Sequence, residues 1–236
     1  MRTETEASNY RREEHLRDGR AVTIRALHSE DKPLWQDVWE HMSATSVYYR
    51  FFSPKKSMSE QEVAYYTELD FVTHVALIAI VHNMTAETVE TTKTTKTTET
   101  TKTTENTENT ENTENTENGV LQVDLIDGEQ RKSSPDDPAA IARYHLSDAS
   151  TESAEIAFAV EDEYHGQGLG TLLLKHLVII ARLSGLKEFK AYVLAENRKM
   201  MEVFENCGLP MTKSFKDFSV WEIRLDLTQE TTSSLV

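Results

Sequence analysis

Two periodicities divide this chain. Apolar residues that alternate with polar ones, or run nearly unbroken, predict strands at residues 21–27, 74–82, 140–146, 153–160 and 187–194. The run HVALIAIVH at 74–82 reads as a central strand buried on both faces. Apolar residues at helical spacing predict helices at 29–42, 59–69, 171–183 and 197–206; in the first, Leu34, Trp35, Val38, Trp39 and Met42 share a face behind Ser29 and Pro33. Gly185 closes the third helix, and two short strands at 213–216 and 219–225 finish the pattern around Asp217. Residues 1–19 carry charges of both signs and no apolar face, which predicts a solvated tail, as do residues 229–236.

The pattern fails between 85 and 118. There the chain becomes a three-residue microrepeat of Thr, Lys, Glu and Asn that lacks apolar surface to offset the entropy of ordering it, so a disordered insert is expected, with loop continuing to about 138. Residues 119–127 alternate again, with Leu121, Val123 and Leu125 on one side, as an extra edge strand would. Removing the insert leaves residues 20–228 as a single domain whose hairpin loop between 74–82 and 140–146 has been stretched.

The 236 residues hold 25 Lys plus Arg against 40 Asp plus Glu, a formal net charge of −15. That balance argues against nucleic-acid and membrane partners and favours cationic ones, such as amines or basic protein tails. One cysteine, Cys207, excludes an internal disulfide framework, and no Cys or His pair has zinc-ligand spacing, so no metal is expected. With no apolar leader and no run approaching 18 apolar residues, the expected location is the cytoplasm.

The most chemical stretch is EIAFAVEDEYHGQGLG at 155–170, an alternating strand that runs into glycines at every second position and then a helix. Gly166, Gly168 and Gly170 let backbone N–H groups converge on one anion, and the helix N-terminus adds unpaired donors and its dipole. Neither Lys nor Arg lies between Tyr164 and Leu174, so main-chain donors would hold a diphosphate. A dinucleotide fold needs G-x-G-x-x-G and parallel βα units; this loop is G-x-G-x-G, and the strands before it look antiparallel.

The order βααβ, β, β, glycine loop, α, β, α, ββ, with YHGQGLG and AENRKMMEVFENCGLP, resembles the GNAT superfamily of acetyl-CoA-dependent acyltransferases. SVYYRFFSP, SEQEVAYYTELDF and VLAENRKM are most similar to the acetyltransferase module of bacterial protein lysine acetyltransferases. The resemblance implies a mixed, mostly antiparallel α/β (α+β) sheet of six or seven strands flanked by about four helices. It implies acetyl-CoA as acyl donor, its pyrophosphate on the amides of Gln167, Gly168, Leu169, Gly170 and Thr171 next to His165 and Gly166, and its pantetheine beside Phe158, Ala159 and Val160, with Asn197 helping to orient it. The acceptor it implies is a primary amine on a protein lysine, or alternatively on a small molecule.

At neutral pH an amine near pKa 10.4 needs about 4–5 kcal/mol to shed its proton, so a base is required. By resemblance that base is Glu155, with the Val160 N–H donating to the thioester oxygen. His165 and Gln167 stand where the family generally shows Arg or Gln and Arg, leaving Lys175, Arg198 or Lys199 to neutralise phosphate. Phe204 stands where many relatives place a Tyr that protonates the departing thiolate, so a non-catalytic acyl-CoA-binding sensor remains an alternative. Arg50 is a candidate contact to acceptor or cofactor, while Tyr48, Tyr49, Phe51 and Phe52 read as packing and Glu161, Asp162 and Glu163 as a solvated acidic turn.

Overall fold

A computed structural model of the protein describes residues 4–83, 136–147 and 151–229. The microrepeat at 85–118, the strand expected at 119–127 and the final seven residues lie outside them. Eight strands, β1 (Arg11–His15), β2 (Ala21–Ala26), β3 (His74–His82), β4 (Asp136–His145), β5 (Ser153–Val160), β6 (Glu188–Leu194), β7 (Met211–Phe215) and β8 (Val220–Asp226), form one sheet in the order β1-β2-β3-β4-β5-β6-β8-β7. Every neighbouring pair is antiparallel except β5 with β6. Among the described residues six α-helices accompany it: α1 (Glu4–Ser8), α2 (Lys32–Glu40), α3 (Ala44–Phe51), α4 (Glu60–Thr67), α5 (Leu169–Leu183) and α6 (Arg198–Glu205).

The mixed, mostly antiparallel α/β architecture matches the expectation, with eight strands in place of six or seven and six helices in place of about four. Much of the difference lies in residues 4–15, expected as tail. Their sequence RREEH hides a strand because its stabilising groups are polar. β1 pairs with β2 from Arg11↔Arg25 to His15↔Ala21, and Thr23 donates to Glu13 at 2.7 Å. Ala7, Tyr10 and Leu16 are buried around it. The Tyr10 hydroxyl lies 2.6 Å from His176 Nδ1, and Glu14 meets both Lys175 (3.2 Å) and His176 (3.1 Å), which pins the edge strand to α5.

The other added helix is α3. Ser43 caps it, its Oγ accepting from the Ser46 N–H at 3.2 Å, and Phe52 ends it at φ 56. Of the four aromatic residues expected to pack here, Phe51 does so, edge-on to Trp39 at 5.3 Å and to Tyr66 at 6.1 Å, whereas Tyr48 and Phe52 are exposed.

The core has two parts, one on each sheet face. Leu173, Leu174 and Leu177 of α5 and Phe204 of α6 pack with Ala142, Tyr144 and Ile156. Trp35 and Val38 of α2 and Val63 of α4 pack with Ala76, Ile78 and Ile141. Because successive strand residues face opposite ways, β4 and β5 feed both cores at once.

Asp31 anchors the second core. It accepts from Arg25 Nη1 and Nη2 at 2.6 and 2.7 Å and from the His28 N–H at 2.8 Å. Burial alone would raise its pKa, but the Arg25 guanidinium and His28 amide hold it below the ordinary carboxylate value. The charged carboxylate therefore stabilises the fold above its ordinary pKa of about 3.9, and that stabilisation is lost as pH falls through the lowered folded value. D31N leaves the Arg25 guanidinium unmatched and is expected to lower stability by about 1–3 kcal/mol, read as a lower denaturant midpoint with an unchanged slope.

Candidate active site

β5 and β6 pair over three rows only, Ser153↔Glu188, Ala154↔Phe189 and Glu155↔Lys190. Past Glu155 they separate, while β5 stays paired with β4 to its end at Val160↔Ala140. The Glu161 N–H donates to the Ala139 carbonyl at 3.0 Å, which sets the alternation: Ala157 and Ala159 point their amides at β4, and Phe158 and Val160, beyond the last paired row with β6, point theirs into the gap. A cleft of about 770 Å³ fills that gap, walled by β5, β6, α3, α6 and the glycine loop.

The loop closes one end. Gly166 and Gly168 have φ of 77° and 96°, a region in which a Cβ is strained, and Gly168 is the N-cap of α5. Gly170 serves a different purpose: a Cβ there would stand 3.2 Å from Val203 Cγ2, so its absence lets α5 and α6 approach. The first N–H groups of α5 lack acceptors within the helix and face the cleft end where Leu169, Gly170 and Thr171 line it.

Glu155, Phe158, Val160, His165, Gly166, Gly168, Leu169, Gly170, Thr171 and Asn197 all line this cleft. Two expected residues do not. Ala159 shares a strand face with Glu155 and Ala157 but lies deeper, packed against the Trp35 core. Gln167 turns outward: its Nε2 donates to the Glu163 carbonyl at 3.1 Å, and its Oε1 accepts from Arg20 Nη2 at 2.5 Å. His165 braces the loop. Lys199 Nζ donates to its Nδ1 at 3.2 Å, so Nε2 carries the proton that it donates to the Val160 carbonyl at 3.1 Å. Asn197 caps α6 through Oδ1, which accepts from the Met200 N–H at 3.1 Å.

Four arginine and lysine side chains line the cleft: Arg17, Arg50, Arg198 and Lys199. Arg17 could not be read from the sequence, where it fell in the expected tail. It rides on the β1–β2 turn, donates to the Gly166 carbonyl at 3.1 Å and lies 3.6 Å from where a Gly168 Cβ would stand. Lys175, by contrast, is bound to Glu14 at 3.2 Å.

The acidic turn after β5 is not simply solvated. Glu161 is buried, and Asp162 holds the start of α3, accepting from the Ser43 N–H (2.8 Å), the Ser43 hydroxyl (2.9 Å) and the Ser46 hydroxyl (2.9 Å). Burial would raise its pKa, but these donors bring it below the ordinary value. The charge beside the anion-binding loop is thereby engaged by α3. Asp37, His41 and Glu161 each place one ligand atom within 4.8 Å of the others, but none of the three lines the cleft.

Phe204 is buried, edge-on to Phe158 at 6.0 Å, and puts no hydroxyl at that point of the cleft. Tyr164 also lines it, yet its hydroxyl donates to the Asp137 carboxylate; burial and that bond raise its pKa. Cys207 is buried outside the lining, its thiol pKa raised by desolvation, as a packing residue would be.

A sequence model of the Acetyltransferase (GNAT) family matches residues 87–209, and the chain belongs to that family. An acetyltransferase of Pseudomonas aeruginosa is 24% identical over 190 residues, 80% of this chain and 75% of that one. Acetyltransferase Pat of Mycolicibacterium smegmatis is 35% identical over 69 residues, 29% of this chain and 21% of that one. The GNAT domain of S. lividans PAT matches in structure with a TM-score of 0.64 at 26% identity, covering 92% of this chain and 96% of that one. The protein is therefore an acetyltransferase, and no helix of the described residues is long and apolar enough to cross a membrane.

G170V is expected to force α5 from α6 and lower stability by about 1–3 kcal/mol, with V203A in the same chain restoring part of the loss; paired unfolding curves measure both.

Proposed function

We propose that this protein moves an acetyl group from acetyl-CoA to a primary amine, the side chain of a protein lysine, by direct transfer. The observation that carries this reading is the parted β5–β6 pair, whose free backbone groups lead to the glycine loop and the N-terminus of α5. Pantetheine amides can add to β5 at Phe158 as a further strand would, which leaves the Val160 N–H for the thioester oxygen, and the diphosphate then falls on the amides of residues 168–171, with Arg17, Arg198 and Lys199 in the same cleft. Fold relatives support such a donor: a Salmonella typhimurium protein was solved with its cofactor acetyl-CoA, and a Vibrio cholerae spermidine N-acetyltransferase with CoA and spermine. The likeness to Pat acetyltransferases and the net charge of −15 support a cationic, lysine-bearing acceptor.

Glu155 takes the proton. It is exposed to the cleft at the point where β5 and β6 part, so water can reach it and relay a proton from the amine. The amine nitrogen attacks the thioester carbon, the new C–N bond forms, and the oxygen draws on the Val160 N–H, which faces the gap while its carbonyl is occupied by His165. The C–S bond then breaks and the sulfur leaves with its electron pair. A thiol titrates near 8.5, so a thiolate departs without a tyrosine at position 204.

E155Q is expected to lower kcat/KM by about 10²–10⁴-fold with acetyl-CoA affinity retained, measured by thiol release and calorimetry. Equal turnover by E155Q removes the residue from catalysis. R17A is expected to weaken CoA binding about tenfold, with a much smaller effect on S-acetylpantetheine, which carries no diphosphate.

A further inference from the structure

Two guanidinium groups, Arg50 in the wall of the cleft and Arg143 in an annex that Arg50 also lines, share one small enclosure. Arg143 of β4 lies opposite Ala157 and shares the sheet face of Glu155; its guanidinium carbon is 4.3 Å from the Tyr66 ring centre and 5.0 Å from that of Tyr65. Arg50 of α3 rests 4.9 Å from the centre of the Phe51 ring. Both line a small annex of about 30 Å³ walled by Trp35, Trp39 and Phe51, and Arg50 and Ala157 line the main cleft too.

Both arginines are half-buried, and among the described residues neither forms an ion pair within 4.0 Å. Arg143 Nη1 is fully enclosed and without a hydrogen-bond partner. Burial, then repulsion by Arg143, pulls the Arg50 pKa down to about 10, and burial lowers that of Arg143. The through-space pull of Glu155 steadies both positive charges, but one carboxylate against two guanidiniums leaves an excess cation beside an aromatic wall. Like charges held together in a desolvated place, with one enclosed donor unmatched, are an unfavourable arrangement for the free protein. An anion that accepts from both forks relieves it, and the planar guanidinium matches a carboxylate in two-point geometry. The donor's phosphates have their own cations at the other end of the cleft, where Arg17, Arg198 and Lys199 surround the glycine loop.

We propose that Arg50 and Arg143 form a carboxylate-binding subsite, and that the acceptor presents a carboxylate beside the amine to be acetylated. This rests on the reading of Glu155 as the base, which places the amine in this half of the cleft. The carboxylate has two sources of the same chemistry: an acidic side chain flanking a protein lysine, or the α-carboxylate of a free amino acid.

The test uses the full chain with acetyl-CoA and matched acceptors: lysine peptides flanked by Glu or by Gln, and free amino acids against their amides. Wild-type kcat/KM is expected to favour the carboxylate member by about tenfold or more in one of the two pairs, which identifies the source. In R50M and R143M that ratio is expected to fall towards one. Because the ratio is taken within each variant, a general loss of activity does not mimic it. Equal use of both members by the wild type overturns the subsite whether or not the variants fold, and leaves the acetyl-transfer reading standing. No turnover of any acceptor, with acetyl-CoA bound, overturns that reading and the subsite with it.

Discussion

The separation of β5 from β6 after three paired rows is the constraint on which the site depends. A continuous ladder would bury the amides of Phe158 and Val160 in neighbouring strand, and no cleft would exist. The separation persists because other contacts hold the two strands independently. β5 is held along its length by β4, and β6 along its length by β8. Phe158 and Phe204 pack across the gap at its apolar end. The sheet thus offers main-chain donors in its interior without leaving them unmatched along both edges, which would be costly in a buried strand.

Around that gap, charge is sorted by element. The glycine loop gathers cations from β1's turn and α6, while Asp162, just after β5, is drawn to the start of α3. Asp162 joins two parts of the wall, since the carboxylate that satisfies Ser43 and Ser46 stands three residues before His165. His165 in turn ties the last carbonyl of β5 to Lys199 of α6. A chain with net charge −15 can in this way keep a locally cationic rim, because the groups that would cancel it already have partners.

Much of this was legible from residue order. The β3 run at His74–His82 was unmistakable because both faces are buried, and α5 because eight of its residues are. The glycine spacing marked the loop, though not the distinct reason for Gly170, which depends on Val203 of another helix. The outward turn of the Ala159 and Gln167 side chains was not legible, because pleat and tertiary hydrogen bonds decide which side chain turns in; what was expected of these two residues rests on their main-chain groups. β1 was invisible because RREEH has no apolar period, and what fastens it is Tyr10 against His176 and Glu14 against Lys175, contacts across most of the chain. Arg143 read only as one residue of a strand; its unmatched Nη1 emerges once α3 and α4 are laid over the sheet.

Arg17 joins two things that the chain order keeps far apart, the outermost hairpin of the sheet and the carbonyl of Gly166. An anion that recruits this guanidinium also fastens the hairpin that bears it, so occupancy and docking of the first strand share one free energy. Edge strands open more readily than central ones. The amide exchange of residues 11–15 thereby becomes a gauge of what fills the cleft, reporting from the rim of the molecule on its middle.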